Sequence, residues 1–141
     1  MPSLRVFLFA LALLGAAVSA LAEELSSQDA AAIRAVITEQ LDAFRRDDGK
    51  HAFSLATAGI RAQFGSPEVF MEMVRTGYPV VYRPSSVHFD APELVDGIVI
   101  QAVRMTDAEG RAWIALYPMQ RQPEGWRIDG CQLGKPQGRA I

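Results

Sequence analysis

The sequence is poor in the residues that build covalent cross-links and metal centres. Its 141 residues include one cysteine, Cys131, and two histidines, His51 and His88. A single cysteine excludes a disulfide within the chain, so the fold has to rest on its hydrophobic core. The histidines are far apart and neither has ligand spacing around it, so neither a metal nor a cofactor is expected. Cys131 has no activating neighbour in sequence and is interpreted as a small buried side chain rather than a nucleophile.

Clustered positive charge is also missing. Fourteen basic residues stand against sixteen acidic ones, for a net charge of −2, and no run of like charges is longer than two residues. Phosphate backbones are bound by clustered lysine and arginine, so this distribution excludes a nucleic-acid partner.

The first 22 residues have the organisation of a secretory signal peptide. Arg5 precedes an apolar run over residues 6–18, and Ala20-Leu21-Ala22 comes directly before Glu23. As a helix, those thirteen apolar residues would cover roughly 20 Å, which is too short for the ~30 Å hydrocarbon core. The sequence therefore predicts cleavage near Ala22, export to the periplasm or the exterior, and no membrane association afterwards. Residues 23–141 are long enough for one domain.

Three helices are predicted before residue 84. The first follows Ser26 and carries an apolar stripe that includes Ile33, Ile37 and Leu41, with Gly49 expected to end it. The second covers residues 50–56, capped by Asp48. The third opens with Ser66-Pro67-Glu68, a favoured order for a helix start, and ends at Gly77.

Three or four strands are predicted after Pro84. The candidates cover residues 87–89, 97–105, 111–122 and 126–133, and residues 107–110 and 122–125 carry the residues of tight turns. Helices followed by an antiparallel meander indicate the α+β class.

Four stretches of this order carry a resemblance to a known family: AIRAVITEQLDAFRRDD, IRAQFGSPEVFMEMV, GYPVVYRP and WRIDGC. Together they make the mature chain similar to the bacterial domain-of-unknown-function family 4864. That family resembles in turn the nuclear transport factor two-like superfamily. The resemblance implies a cone of three helices packed on one face of a curved antiparallel sheet, with a pocket between them. Relatives of that fold include isomerases, dehydratases, ligand binders and non-catalytic partners, so no activity follows from it.

The stretch from Met73 to Val87 joins the helices to the strands. Pro79 and Pro84 each favour an extended preceding residue, so an extended corner without helix is predicted here. Corner geometry does not require Tyr78, Tyr82 or Arg83.

These three side chains are candidates for a ligand site. Tyrosine combines an apolar face with a polar tip, and arginine offers a five-donor fork that suits carboxylate or phosphate. Arg61 is a second candidate cation. The alternative is that the rings pack at the domain edge and Arg83 pairs with an acid to fasten the corner.

Two further candidates, Gln101 and Tyr117, lie in the middle of predicted strands. They would orient a ligand if they point toward the helices, or bond across a dimer if they point outward. His88 and Asp90 share one face of a strand, and Tyr117, His88 or Asp90 would supply the proton transfer of an isomerase or lyase. Val87 and Phe89 lie on the opposite face of the strand and are apolar. If that face is buried, His88 and Asp90 point toward solvent.

The strand over residues 97–105 is apolar on both faces. Ile98, Ile100 and Ala102 occupy one face, whereas Val99 and Val103 occupy the other. Helices cover only one side of such a sheet, so the outer face is predicted to meet a second copy of the chain in a homodimer. The resemblance implies the same contact.

Three functions remain open at this point. The preferred one is an exported, non-catalytic dimer that binds a small amphipathic or anionic molecule between helices and sheet. The second is a small-molecule isomerase or lyase. The third is a structural partner without a ligand, whose cone is filled by its aromatic side chains: Phe44, Phe53, Phe64, Phe70 and Trp126.

Overall fold

The computed structural model describes residues 25–136. The predicted signal peptide, residues 1–22, lies outside the described residues. Within the described part of the chain, no helix has the length and apolar character needed to cross a membrane.

Five helices form the first half of the described chain, where the sequence predicts three. Two short helices were not expected, one over residues 58–64 and one over residues 79–82. The helices are α1 (Ser27–Arg45), α2 (Gly49–Ser54), α3 (Ala58–Phe64), α4 (Pro67–Gly77) and α5 (Pro79–Tyr82).

The predicted helix starts are confirmed by their caps. Ser26 caps α1 in a reciprocal arrangement with Asp29, each side chain accepting a hydrogen bond from the other residue's backbone N–H. Asp48 accepts from the N–H of His51 at the start of α2. Ser66 caps α4 in the same way, so these short polar residues satisfy donors that a helix end leaves free.

Two local predictions were wrong, and each has a backbone reason. Gly49 does not end α1, because Asp47 takes the left-handed conformation at φ 53° and Gly49 is already the first residue of α2. The corner after Gly77 is not free of helix. Pro79 is the first residue of α5, where its fixed φ suits a helix and its missing N–H costs nothing.

Six strands form one antiparallel sheet that is strongly curled, like half of a barrel. The order is β1-β3-β4-β5, with β2 also pairing β3 and β6 also pairing β4. The last predicted strand, residues 126–133, is divided into two, and the three-residue β2 was not predicted. The strands are β1 (Ser86–Phe89), β2 (Glu93–Val95), β3 (Ile98–Thr106), β4 (Ala112–Gln122), β5 (Gly125–Ile128) and β6 (Gln132–Gly134).

The two faces of the sheet differ in what covers them. On the inner face, Val103, Met105 and Ala115 are buried with the apolar stripe of α1 in a single core. Side chains of the outer face alternate with these, and Ile98 and Leu116 keep 53% and 37% of their surface exposed. The prediction of helices followed by a curled antiparallel sheet is therefore confirmed for the described residues, and the outer face carries exposed apolar side chains at its centre.

The turn between β3 and β4 is organised by the carboxylate of Asp107. It accepts hydrogen bonds from Trp113 Nε1 at 3.0 Å, from Arg111 N at 2.9 Å, from Arg111 Nε at 2.8 Å and from Glu109 N at 3.0 Å. These donors favour the charged form, with Trp113 contributing most, and hold the pKa of Asp107 well below its usual value of 3.8.

We predict that Asp107 makes the stability of the protein sensitive to acid. Its pKa is lower in the folded chain than in the unfolded chain, so its contribution is complete above about pH 4 and is lost as pH falls further. Urea unfolding at pH 7 and pH 3 measures this effect. Asp107→Asn should destabilise the protein at pH 7 and by a smaller but still clear amount at pH 3, because the folded-state pKa lies lower still and part of the contribution survives there.

The control is Asp96→Asn, which changes an exposed carboxylate in the turn between β2 and β3. It should leave stability nearly unchanged at both pH values. An Asp107→Asn variant whose loss of stability is equal at pH 7 and pH 3 would contradict the assignment.

Candidate functional site

A cavity of about 380 Å³ lies between the helices and the inner face of the sheet. This volume is within the range of small-molecule sites, and the walls are largely apolar. We call it the central cavity. Its lining comes from α1, α3, α4, α5, the sheet and the segment between β5 and β6: Gln40, Phe44, Ala56, Ile60, Gln63, Phe64, Phe70, Met73, Val74, Tyr78, Val81, Tyr117, Pro118, Ile128, Asp129, Gly130, Cys131 and Gln132.

The cavity reaches the sheet where its edge is interrupted. On β4, Met119 pairs with Ile128 of β5 and Leu116 pairs with Gln132 of β6. Two residues of β4 between these pairs face three residues of the edge, so the edge carries one residue too many, as in a β-bulge. Gly130 absorbs the excess at φ 142°, a conformation that favours glycine.

The hydroxyl group of Tyr117 lies at this interruption without a hydrogen-bond partner among residues 25–136. Tyr117 is only 1% exposed, so water does not replace the missing bond freely. Burial first, and the neighbouring Cys131 second, raise the pKa of Tyr117 well above its usual value of 10.0. The hydroxyl therefore keeps its proton at any physiological pH and remains a donor.

The thiol group of Cys131 is the second polar group at the base of the cavity. Burial raises the pKa of Cys131 to about 12, and the nearby Tyr117 hydroxyl opposes the shift only in part. A thiol with this pKa is protonated near neutral pH and is a poor nucleophile. This agrees with the interpretation of Cys131 as a small hydrophobic side chain.

Two other polar side chains of the lining, those of Gln40 and Asp129, are already engaged. Gln40, which is buried, donates from Nε2 to the carbonyl of Ala52 at 3.1 Å. Asp129 accepts from Thr57 Oγ1 at 2.7 Å and from Gln120 Nε2 at 2.9 Å. Asp129 is also the one charged residue in the described lining, which contains no lysine, arginine or histidine.

Aromatic rings form one wall of the cavity without filling it. Phe70 is the centre of the cluster, with ring centroids 6.0 Å from Phe44, 5.5 Å from Phe53 and 5.7 Å from Phe64. With Trp126, these rings were the ones expected to fill the cone in the structural-partner hypothesis. Phe44, Phe64 and Phe70 line the cavity, whereas Phe53 and Trp126 are not part of its described lining.

Of the six predicted site residues, the structure brings Tyr78 and Tyr117 to the central cavity. Gln101 is on the inner face and fully buried, but it is not part of the lining. Its Nε2 donates to the carbonyls of Asp90 at 2.6 Å and Ala102 at 2.9 Å. Whether Gln101 or Tyr117 orients a ligand stays a prediction.

The corner residues Tyr82 and Arg83 fasten α5 to the end of α1. The hydroxyl of Tyr82 donates to Asp47, and Arg83 Nη1 donates to the carbonyl of Phe44 at 2.7 Å. The Arg83 guanidinium also lies 3.9 Å from the centre of the Tyr82 ring. These contacts match the structural alternative for the corner, and a ligand role for either residue stays a prediction.

Arg61 is likewise outside the cavity lining. Its Nη1 donates to the carbonyl of Ala56 at 3.3 Å, across the start of α3. The guanidinium thus contacts the start of its own helix, and a ligand role for Arg61 stays a prediction.

The proposed acid–base pair of the isomerase hypothesis lies away from the cavity. His88 pairs in register with Arg104, which points outward, and Asp90 lies 3.2 Å from Arg104. Tyr117 points inward from β4. The sheet therefore separates His88 and Asp90 from Tyr117, so the three cannot act on one substrate.

Several lining residues were not predicted from the sequence. Gln40 and Met73 lie on helices, where the hydrophobic periodicity of the sequence distinguishes buried from exposed positions but does not indicate a cavity. The Asp129-Gly130 pair carried a usable signal, since an Asp-Gly dipeptide is typical of a turn and argues against one continuous strand over residues 126–133.

We predict that Tyr117→Phe raises the free energy of unfolding by about 1 kcal/mol in the ligand-free protein. The change deletes a buried hydroxyl group whose desolvation is uncompensated, and keeps the ring. Urea unfolding at pH 7 measures the change.

The matched control is Tyr82→Phe, which removes a hydroxyl that does donate to a carboxylate. It should lower stability. If both variants lose stability to a similar extent, the Tyr117 hydroxyl has a partner and the assignment is wrong.

No curated protein matches the chain, and no solved structure matches it. Residues 26–141 match the model of one protein family, which covers most of the chain and all of the helices and strands described above. The chain therefore belongs to the family described as "Domain of unknown function (DUF4864)".

Proposed function

We propose that the protein is an exported, non-catalytic domain that holds a small amphipathic molecule in the central cavity. The observation that carries this proposal is the unpartnered hydroxyl of Tyr117 at the base of an otherwise largely apolar cavity of about 380 Å³. A site of this kind, with apolar walls and few polar groups, is the usual design of a small-molecule pocket.

A binding role is favoured over catalysis because proton transfer near neutral pH needs groups that titrate there. Tyr117 and Cys131 both have pKa values raised far above neutral pH by burial. Asp129 is held by two donors from outside the lining. General acid–base catalysis requires at least two converging groups with matched pKa values, and the cavity offers none among its described residues.

Placement in the nuclear transport factor two-like superfamily is part of the proposal. Helices that precede a curled antiparallel sheet, with a cavity between them, support it. Export rests on the apolar run over residues 6–18 and on the small residues before Glu23.

Native mass spectrometry of the protein, purified gently from its host compartment, tests export and ligand together. We expect a chain that begins at Glu23 and carries a non-covalent adduct of one small molecule. Met73→Trp should lose the adduct, because Met73 lines the cavity and a larger ring occupies the space.

Val69→Trp is the matched control, since it adds the same ring to α4 at an exposed position outside the lining. It should keep the adduct. An adduct that survives Met73→Trp, or that never appears, would show that the cavity is not the binding site.

We also propose that the outer face of the sheet joins two copies of the chain. The outer apolar patch occupies its centre and consists of Val95, Ile98, Ile100, Ala102, Ile114 and Leu116. An apolar patch that spans three strands is unusual for a monomer.

Charge placement favours a second copy as the occupant. Glu93 pairs in register with Ile100, near one end of the patch, and Arg104 pairs with Ile114, near the other. A two-fold axis through the pair of Ala102 and Leu116 exchanges the two ends. Each Arg104 then approaches the Glu93 of the other copy, as an isologous interface requires.

Sedimentation at micromolar concentration measures this association. We expect a dimer for the unmodified protein and a monomer for Leu116→Arg, because the change places an unpaired charge in the middle of the interface. Ala62→Arg, on the exposed surface of α3, is the control and should remain dimeric. A monomeric unmodified protein at these concentrations would overturn the proposal.

A further inference from the structure

We infer that the central cavity selects a neutral molecule: an apolar body with one hydrogen-bond acceptor, a carbonyl or ether oxygen, seated on the hydroxyl of Tyr117. This inference rests on the proposed function and adds the chemical class of the ligand.

The ligand is expected to carry a hydrogen-bond acceptor because the base of the cavity, among its described residues, offers none to the hydroxyl of Tyr117. The Tyr117 hydroxyl is 1% exposed and unpartnered within residues 25–136, so an O–H donor is left unused. The adjacent Cys131 thiol is protonated and contributes a weak second donor. A ligand oxygen at this place would accept from the hydroxyl group, which is the stronger of the two donors.

The ligand is expected to be uncharged because the described lining offers an ion no suitable counter-charge. An anion would find no lysine, arginine or histidine among the described lining residues. The two arginines that the sequence offers as ligand candidates, Arg83 and Arg61, are outside the lining and donate to the carbonyls of Phe44 and Ala56 instead. An ion transferred from water to such a site loses its hydration without gaining a counter-charge.

A cation has only Asp129 to meet. That carboxylate is already bonded to Thr57 and Gln120, and it lies in the edge segment rather than on the helix wall. A ligand with a positive charge would have to leave the Tyr117 hydroxyl unsatisfied, since a protonated amine donates but does not accept.

The apolar side chains of the cavity walls determine which apolar group of the ligand fits. Phe44, Phe64, Phe70, Met73 and Val74 face the cavity from α1, α3 and α4. Rings and a methionine of this kind favour a flat or aromatic apolar group.

A series of four naphthalenes of similar shape tests the inference by fluorescence titration of the purified, ligand-free dimer or monomer. The probes are 2-acetylnaphthalene, 2-isopropylnaphthalene, 2-naphthoate and 1-(2-naphthyl)ethylamine. We expect 2-acetylnaphthalene to bind about fivefold to tenfold more tightly than 2-isopropylnaphthalene, which has no acceptor. The anion and the cation should bind more weakly than either.

Two variants assign the preference to one atom. Tyr117→Phe should bind the acetyl and isopropyl compounds equally, while its affinity for the isopropyl compound stays unchanged. Tyr82→Phe removes a hydroxyl outside the cavity and should keep the full preference for the ketone.

The outcomes separate this inference from the function on which it rests. If the probes bind but show no preference for the ketone, or if the naphthoate or the amine binds most tightly, the inference is overturned and the cavity remains a binding site. If the ketone preference survives in Tyr117→Phe, the assigned donor is wrong. If none of the four probes binds, the proposed function fails, and the inference fails with it.

Discussion

The interruption of the sheet edge at Asp129, Gly130 and Cys131 is the constraint on which the candidate site depends. A continuous strand over residues 126–133 would pair with β4 along its whole length and close the sheet beside Tyr117. Because the edge carries one extra residue, β5 and β6 pair with separate parts of β4. The cavity, the buried hydroxyl and the thiol all meet at that gap.

A buried donor without a partner costs the folded state free energy, and a fold retains such a cost only where something offsets it. The other polar groups near the cavity show how readily this chain satisfies its donors and acceptors. Gln40, Gln101 and Asp129 are all bonded within the protein. Tyr117 stands apart from them, and this is the difference that the proposed ligand would explain.

The contacts around Asp47 show why a charged residue in a suggestive stretch is not by itself a site. Tyr82 and Arg83 contact the end of α1, where the carboxylate of Asp47 and the carbonyl of Phe44 accept their hydrogen bonds. Arg83 thereby acts as a cap for a helix that precedes it by many residues. The same side chains that suggest anion binding in sequence hold two helices together in the structure.

The sequence by itself determined the class of fold and the starts of three helices. Ser26, Asp48 and Ser66 predicted helix starts because caps act over three or four residues, and strand alternation predicted two apolar faces because side chains repeat every second position. It left open on which face Gln101 and Tyr117 lie, since both faces read alike. Tertiary structure alone decided that both point inward, that only Tyr117 reaches the cavity, and that Arg61 and Arg83 do not. Those outcomes depend on contacts between residues far apart in the chain, such as Arg83 with Phe44 and Thr57 with Asp129, which no local pattern encodes.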